Sequence, residues 1–260
     1  MGREWPLRLI VSLVACLVLT GALAVDSDAL MLVSRKTEVQ VGKQVQDDAI
    51  VYYGGLSIDK KVNERVARVG ASIAAVAPRQ DIAYTYQVLN SYVLNAFSAP
   101  GGPVLITRRL AQTMTTDDEL AFVLAHETGH TVAQHVRNMM NRNLIAQGLA
   151  FVLFSGASTA VQTGVDAAYT FYDRGFSRNQ EYEADAWGVK LMLQAGYNPE
   201  AAVTALAKLG MDRTHGLNRY LATHPDIPKR IDRIGKIAGL PVARQQQLVD
   251  AAQAEVKATQ

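Results

Sequence analysis

The 260-residue chain contains a single cysteine, Cys16. One thiol cannot close an intramolecular disulfide or build a thiolate cage, so any metal must be held by histidine and carboxylate side chains. An excess of either charge is also missing: 26 Lys and Arg stand against 24 Asp and Glu, a net charge of +2 that implies no acidic partner. No block of like charge and no basic helix occurs, so nucleic-acid binding has no electrostatic footprint here. An internal period of roughly 30 to 40 residues is absent too, which excludes an appended helical repeat array. With 19% charged and 49% hydrophobic residues, the composition is that of a globular domain, neither disordered nor many times membrane-spanning.

The one long apolar run lies at the start. Arg3 and Arg8 precede the stretch from Leu9 to Leu19, followed by Thr20, Gly21 and Ala22-Leu23-Ala24. This reads as a signal peptide over residues 1–24, cleaved after Ala24 to leave one domain over residues 25–260. Two other readings stay open. Leu13-Val14-Ala15-Cys16 has the shape of a lipobox, which would make Cys16 an acylated N-terminus, although the following residues stay apolar through Val25 instead of forming a polar tether. A retained anchor is the third reading, with the 17 residues from Leu9 to Val25 at the short end of the span a bilayer needs. Each reading puts the protein outside the cytoplasm, in the periplasm or tethered to a membrane facing it.

Between Ser57 and Ala77 apolar residues recur at Ile58, Val62, Val66, Val69, Ile73 and Val76, one face of a helix that Pro78 closes. Alternation at Ile82, Tyr84, Tyr86 and Val88 predicts a strand, and Val104–Thr107, after Pro100-Gly101-Gly102-Pro103, predicts a second. Thr116 and Glu119 form a capping-box pattern ahead of Leu120-Ala121-Phe122-Val123-Leu124-Ala125, a segment apolar on all sides and so a buried helix. Further helical patterns run from about Gln180 to Ala195, from Asn198-Pro199 to Gly210, and around Ile227, Ile231 and Ile234. Helices outnumber strands and a small sheet precedes the central helix, which makes the fold class α+β.

That central helix carries His126, Glu127 and His130 as H-E-x-x-H. Residues four apart share a helical face, so two imidazoles can grip one metal ion while Glu127 stands beside its open position. A carboxylate there can take a proton from zinc-bound water, which then attacks a peptide carbonyl. Two core histidines satisfied by backbone carbonyls would be the plainer reading, but it leaves the charge of Glu127 in an apolar helix unexplained. A third ligand has to come from elsewhere. Glu181-Tyr182-Glu183-Ala184-Asp185 offers Glu181 and Asp185 on one face, so one carboxylate can bind zinc while the other accepts a hydrogen bond from a ligating imidazole. The competing reading of this segment is a solvated acidic first turn.

Four segments in order carry a resemblance. Asn95-Ala96-Phe97-Ser98-Ala99-Pro100-Gly101-Gly102, His126-Glu127-Thr128-Gly129-His130, Ser177-Arg178-Asn179-Gln180-Glu181-Tyr182-Glu183-Ala184-Asp185 and Thr223-His224-Pro225 together resemble the metallopeptidase family of HtpX and the CAAX prenyl endopeptidases. The likeness is to its soluble periplasmic and Oma-like members, over roughly residues 35 to 235. It implies a zincin-like, gluzincin fold, one Zn(2+) per chain, Glu181 as the third zinc ligand and Asp185 as the acceptor of a hydrogen bond from a ligand. It also implies that the strand after the Pro-Gly-Gly turn is an edge to which polypeptide substrates add, at Val104, Leu105 and Ile106, and that His224 has a place near the metal. There His224 could plug the open position or stabilise an oxyanion. Without the resemblance, Val104–Thr107 reads as an ordinary buried strand and His224 as a surface loop histidine. The multiple membrane spans and the repeat domain of some members are missing.

The expected function is therefore a zinc metalloendopeptidase acting on unfolded or misassembled envelope proteins, with Glu127 as general base. The alternative is a zinc-stabilised, chaperone-like binding protein with little turnover, which would have no need of Glu127. His135, five residues past His130, is expected to point away from the metal face, Glu183 to project from a different face than Glu181, and His215 to lie in a surface loop. The apolar stretch 144–154 is too short to cross a bilayer and reads as a core helix or as a lid touching a membrane.

Overall fold

The structure, a computed structural model, describes residues 32–146, 157–211 and 218–258. From Val33 onward they belong to one compact unit. Residues 1–31, with the signal, lipobox and anchor readings, lie outside the described residues, as do His215 and 147–154 of the apolar connector.

Helices make up most of the described chain: α1 (Arg35–Tyr52), α2 (Lys60–Val76), α3 (Arg108–Thr113), α4 (Asp117–Val132), α5 (His135–Ala146), α6 (Ala157–Arg174), α7 (Arg178–Gln194), α8 (Glu200–Met211), α9 (Arg219–Thr223), α10 (Ile227–Ile237) and α11 (Val242–Ala258). The strands are β1 (Thr85–Leu89), β2 (Ala96–Ser98) and β3 (Pro103–Thr107). This is the α+β, mostly helical architecture that the periodicities predict. Among the described residues no helix is long and apolar enough to cross a membrane.

The apolar stripe of α2 buries Val66, Val69 and Ile73, and the helix starts where the Asp59 carboxylate accepts from the amide of Val62. At the start of α4 the capping box forms as expected, with the Thr116 hydroxyl accepting from the Glu119 amide and the Glu119 carboxylate from the Thr116 amide. Buried Lys208 of α8 adds an ion pair to Glu119 at 2.9 Å, tying the helix start to the C-terminal half. From Glu119 to Val132 every residue of α4 is buried. Helices α2, α7 and α8 and strand β2 pack around it, so α4 is the axis of the domain.

The sheet order is β1-β3-β2, with β1 parallel and β2 antiparallel to β3. This corrects the expectation that substrate adds along Val104, Leu105 and Ile106. Both edges of β3 are taken, Val104 by Tyr86 and Ser98, Leu105 by Gln87 and Phe97, Ile106 by Val88 and Ala96. Residues apolar on both faces are the mark of an interior strand. Among the described residues the strand beside α4 that is paired on one side only is β2, whose three residues are too few to show a period. The tight turn joining β2 to β3 needs its glycines: Gly102 has φ 121°, and a Cβ on it would run into the carbonyl oxygen of Ala83.

Two other glycines set the distance between α4 and α7. A Cβ on Gly129 would lie 2.9 Å from both the Ala184 carbonyl oxygen and the Trp187 Cβ, and one on Gly188 would lie 3.3 Å from the His126 Cα. The helices therefore meet nearly backbone to backbone. Replacing Gly129 by Ala gains about 0.5–1 kcal/mol of helix propensity but overpacks an immovable backbone, at a cost of about 1–3 kcal/mol. Net destabilisation is expected, and a urea midpoint at or above that of the natural protein would contradict this packing.

Candidate metal centre

One turn of α4 presents His126 and His130 on the face turned to α7, and the close helix contact brings Glu181, in the first turn of α7, opposite them. His224 arrives from the end of α9. These four side chains are buried, and each offers one ligand atom within 4.8 Å of the others. His126 Nε2 lies 3.1 Å from His130 Nε2 and 3.4 Å from His224 Nδ1. Glu181 Oε1 lies 2.9 Å from His224 Nδ1 and 3.4 Å from His130 Nε2. Ligands about 2.05 Å from a tetrahedral zinc ion stand about 3.3 Å apart, within the range of these separations. Three imidazole nitrogens and a carboxylate oxygen converging in a buried space are donors suited to zinc, and one cation among them would offset the mutual repulsion of their lone pairs. The residues fit a metal ion.

Glu127 points into the same space. Both its oxygens are buried without a hydrogen-bond partner, and Oε1 lies 3.6 Å from His224 Nε2. Burial raises its pKa, against the pull of the His224 and His126 charges, so the carboxylate has a higher proton affinity than one in water. Burial keeps His130 well below the usual imidazole range and thus neutral, the form a metal ligand needs. For Glu181, burial is outweighed by His224 and Arg230, which hold the carboxyl well below the usual range and ionised. In His224 burial is opposed more strongly by the Glu181 and Glu127 carboxylates, which raise its pKa.

Asp185, one turn past Glu181, has Oδ1 3.0 Å from His126 Nδ1, which leaves His126 Nε2 directed at the cluster. Sequence reasoning overlooked the residue that makes these two carboxylates tolerable. Arg230 of α10, fully buried, donates to Asp185 through Nε and Nη2 at 2.8 and 2.7 Å and pairs with Glu181 Oε2 at 2.7 Å. A signal existed, because Arg230 interrupts the apolar stripe of Ile227, Ile231 and Ile234, where an arginine must find buried carboxylates. Two rings frame the imidazoles: Phe176 stacks on His130 at 3.5 Å between centroids and Tyr220 on His224 at 4.3 Å.

His135 does not point away from the site. Helix α4 ends at Val132, Gln134 turns the chain with φ 56°, and His135 restarts the chain as α5, so the five-residue spacing does not run along one helix. Its Nδ1 comes within 2.8 Å of His130 Nδ1, and its Nε2 lies 3.2 Å from Glu183 Oε2.

Beside the cluster opens a cavity of about 420 Å³, whose lining includes His224, Phe97 of β2, Tyr53 and Phe176, with Tyr169 and Tyr172 of α6. On the side of β2 turned away from β3 the Tyr172 hydroxyl donates to the Ser98 carbonyl at 2.6 Å.

The sequence model described as Peptidase family M48 matches residues 60–238, a span that begins with α2 and ends just past α10 and so contains the whole cluster. Among curated proteins, the chain is 36% identical over 157 residues to the mitochondrial metalloendopeptidase OMA1 of Arabidopsis thaliana, covering 60% of this chain and 32% of that protein. Similarity to the OMA1 of Schizosaccharomyces pombe is 34% over 177 residues, 65% of this chain and 51% of the relative. With the beta-barrel assembly-enhancing protease of Escherichia coli K12 it is 25% over 248 residues, 86% of this chain and 51% of the relative. The chain thus spans a third to a half of the length of these relatives. With the family match covering the helices that supply His126, His130, Glu181 and His224, the chain belongs to peptidase family M48.

Proposed function

We propose that this protein is a zinc metalloendopeptidase in which His126, His130 and Glu181 hold the metal, Glu127 is the general base, and Asp185 orients His126. The observation that carries this reading is the convergence of those three donors beside a buried carboxylate, Glu127, that has no structural hydrogen bond to account for it. Zinc held there would supply a Lewis acid that polarises a peptide carbonyl and lowers the pKa of water. Glu127 accepts the proton of the attacking water as the new carbon–oxygen bond forms, and delivers it to the amide nitrogen as the carbon–nitrogen bond breaks. His224 Nε2, facing the same space, donates to the oxyanion that develops between those events. In the arrangement described, His224 also stands among the ligands, so the chemistry requires its ring to swing toward the substrate.

Substrate is proposed to be an extended polypeptide pairing with the side of β2 turned away from β3, with Tyr172 giving up its bond to Ser98 as the strand adds. The aromatic cavity beside the edge suits a large apolar side chain, which unfolded chains expose and folded ones bury. An unfolded or misassembled envelope protein has that chemistry, and the name of the Escherichia coli relative, an assembly-enhancing protease of β-barrels, supports the setting. Export through a signal peptide over residues 1–24, with residues 25–260 forming the mature enzyme, completes the proposal.

Glu127→Gln should lower the cleavage rate of an unfolded protein such as casein by about 10²–10⁴-fold while one zinc per chain is retained. Wild-type turnover in that variant would remove the mechanism; loss of the zinc would place Glu127 among the ligands. His224→Ala should lower kcat by about 10²–10³-fold with zinc affinity nearly intact. A rise in activity would make His224 a plug and nothing more, and steady-state kinetics on the purified variant decides between them.

A further inference from the structure

Neutral imidazole has two tautomers, and only the one with a bare Nε2 can present that atom of His130 to the cluster. A device that selects it is built into the turn between α4 and α5. Glu183, when ionised, can only accept, so its contact with His135 Nε2 makes that nitrogen the donor. Neutral His135 then keeps a lone pair on Nδ1, and the nitrogen 2.8 Å away, His130 Nδ1, must carry the hydrogen between them. His130 Nε2 is left unprotonated, facing His126 and Glu181.

We propose that His135 and Glu183 are positioning residues, a carboxylate–imidazole chain that fixes the tautomer and ring direction of His130 as Asp185 does for His126. Each of the two helical histidines is thereby oriented by a carboxylate of α7, Glu183 acting through an intervening ring because it leaves the helix on a different side. The inference rests on the zinc reading above and makes a separate claim, since a metal could be held by His126, His130 and Glu181 with His135 idle.

Zinc affinity by chelator competition on the full chain tests it, with the melting temperature of the zinc-free protein as control. His135→Leu removes the acceptor and should weaken zinc binding by about 10–100-fold. His135→Asn, whose amide oxygen can stand near the former Nδ1, should recover most of that loss. Glu183 is half-exposed, so its variants fold whatever the fate of the buried ring: Glu183→Ala should show a smaller loss and Glu183→Gln, which can still accept, a recovery. Wild-type affinity in His135→Leu and Glu183→Ala overturns the proposal, as does failure of both conservative variants to recover in proteins of unchanged melting temperature. Nitrogen-15 spectra of the zinc-free protein keep the two readings apart. Protonation of His130 at Nδ1 in wild type and its loss in His135→Leu would support the chain even if zinc were the wrong metal, whereas a wild-type protein that binds no zinc would retract only the reading above.

Discussion

Everything at the centre depends on how closely α4 and α7 approach. Two helices with ordinary side chains between them pack about 8–10 Å apart, and Gly129 and Gly188 remove the side chains at the crossing. The two imidazoles on α4 and the carboxylate on α7 are short enough to meet across that contact and would not span a wider one. The same approach brings Asp185 to the far nitrogen of His126 and lets Glu183 reach His135. Glycine inside a helix costs stability, and here it is found where the cluster needs the helices pressed together.

Placing ionisable groups on the most buried helix of a domain creates a desolvation problem that the surrounding elements answer. Glu181 stays ionised because His224 and Arg230 face it, and Asp185 because Arg230 does. Arg230 in turn is desolvated completely and depends on those two carboxylates, so α7 and α10 are held by charges that none of them could bury alone. Phe176 and Tyr220 close the rest of the space with ring faces. What results is a buried polar cluster, the condition under which a carboxylate such as Glu127 gains proton affinity.

Among the described residues the cavity lies on one side of the cluster. On α7 and α10 the cluster is walled by backbone and ion pairs, while toward β2 and α6 it meets the aromatic cavity and the strand β2. An edge read through main-chain hydrogen bonds tolerates many sequences, and an apolar cavity next to it adds a preference for bulk. Together they match the proposed role of cutting chains recognised by being unfolded and not by a particular motif.

Much of the centre was legible before any tertiary contact was known, because it is written in local geometry. His126, Glu127 and His130 keep their relation on any helix, Glu181 and Asp185 are one turn apart on another, and the capping box at Thr116 and Glu119 needs only four consecutive residues. The helical stripe of Val66, Val69 and Ile73 is equally local. Tertiary structure decided the rest, since a period shows which face of an element is buried and never what covers it. Val104–Ile106 is apolar enough for a strand, but that it lies between β1 and β2 is a matter of pairing. His135 returns to His130 because one residue, Gln134, takes a left-handed turn that no pattern announces. Arg230 meets Asp185 across 45 residues and His224 meets His126 across 98, distances along the chain over which only the packing of the intervening helices chooses the partner.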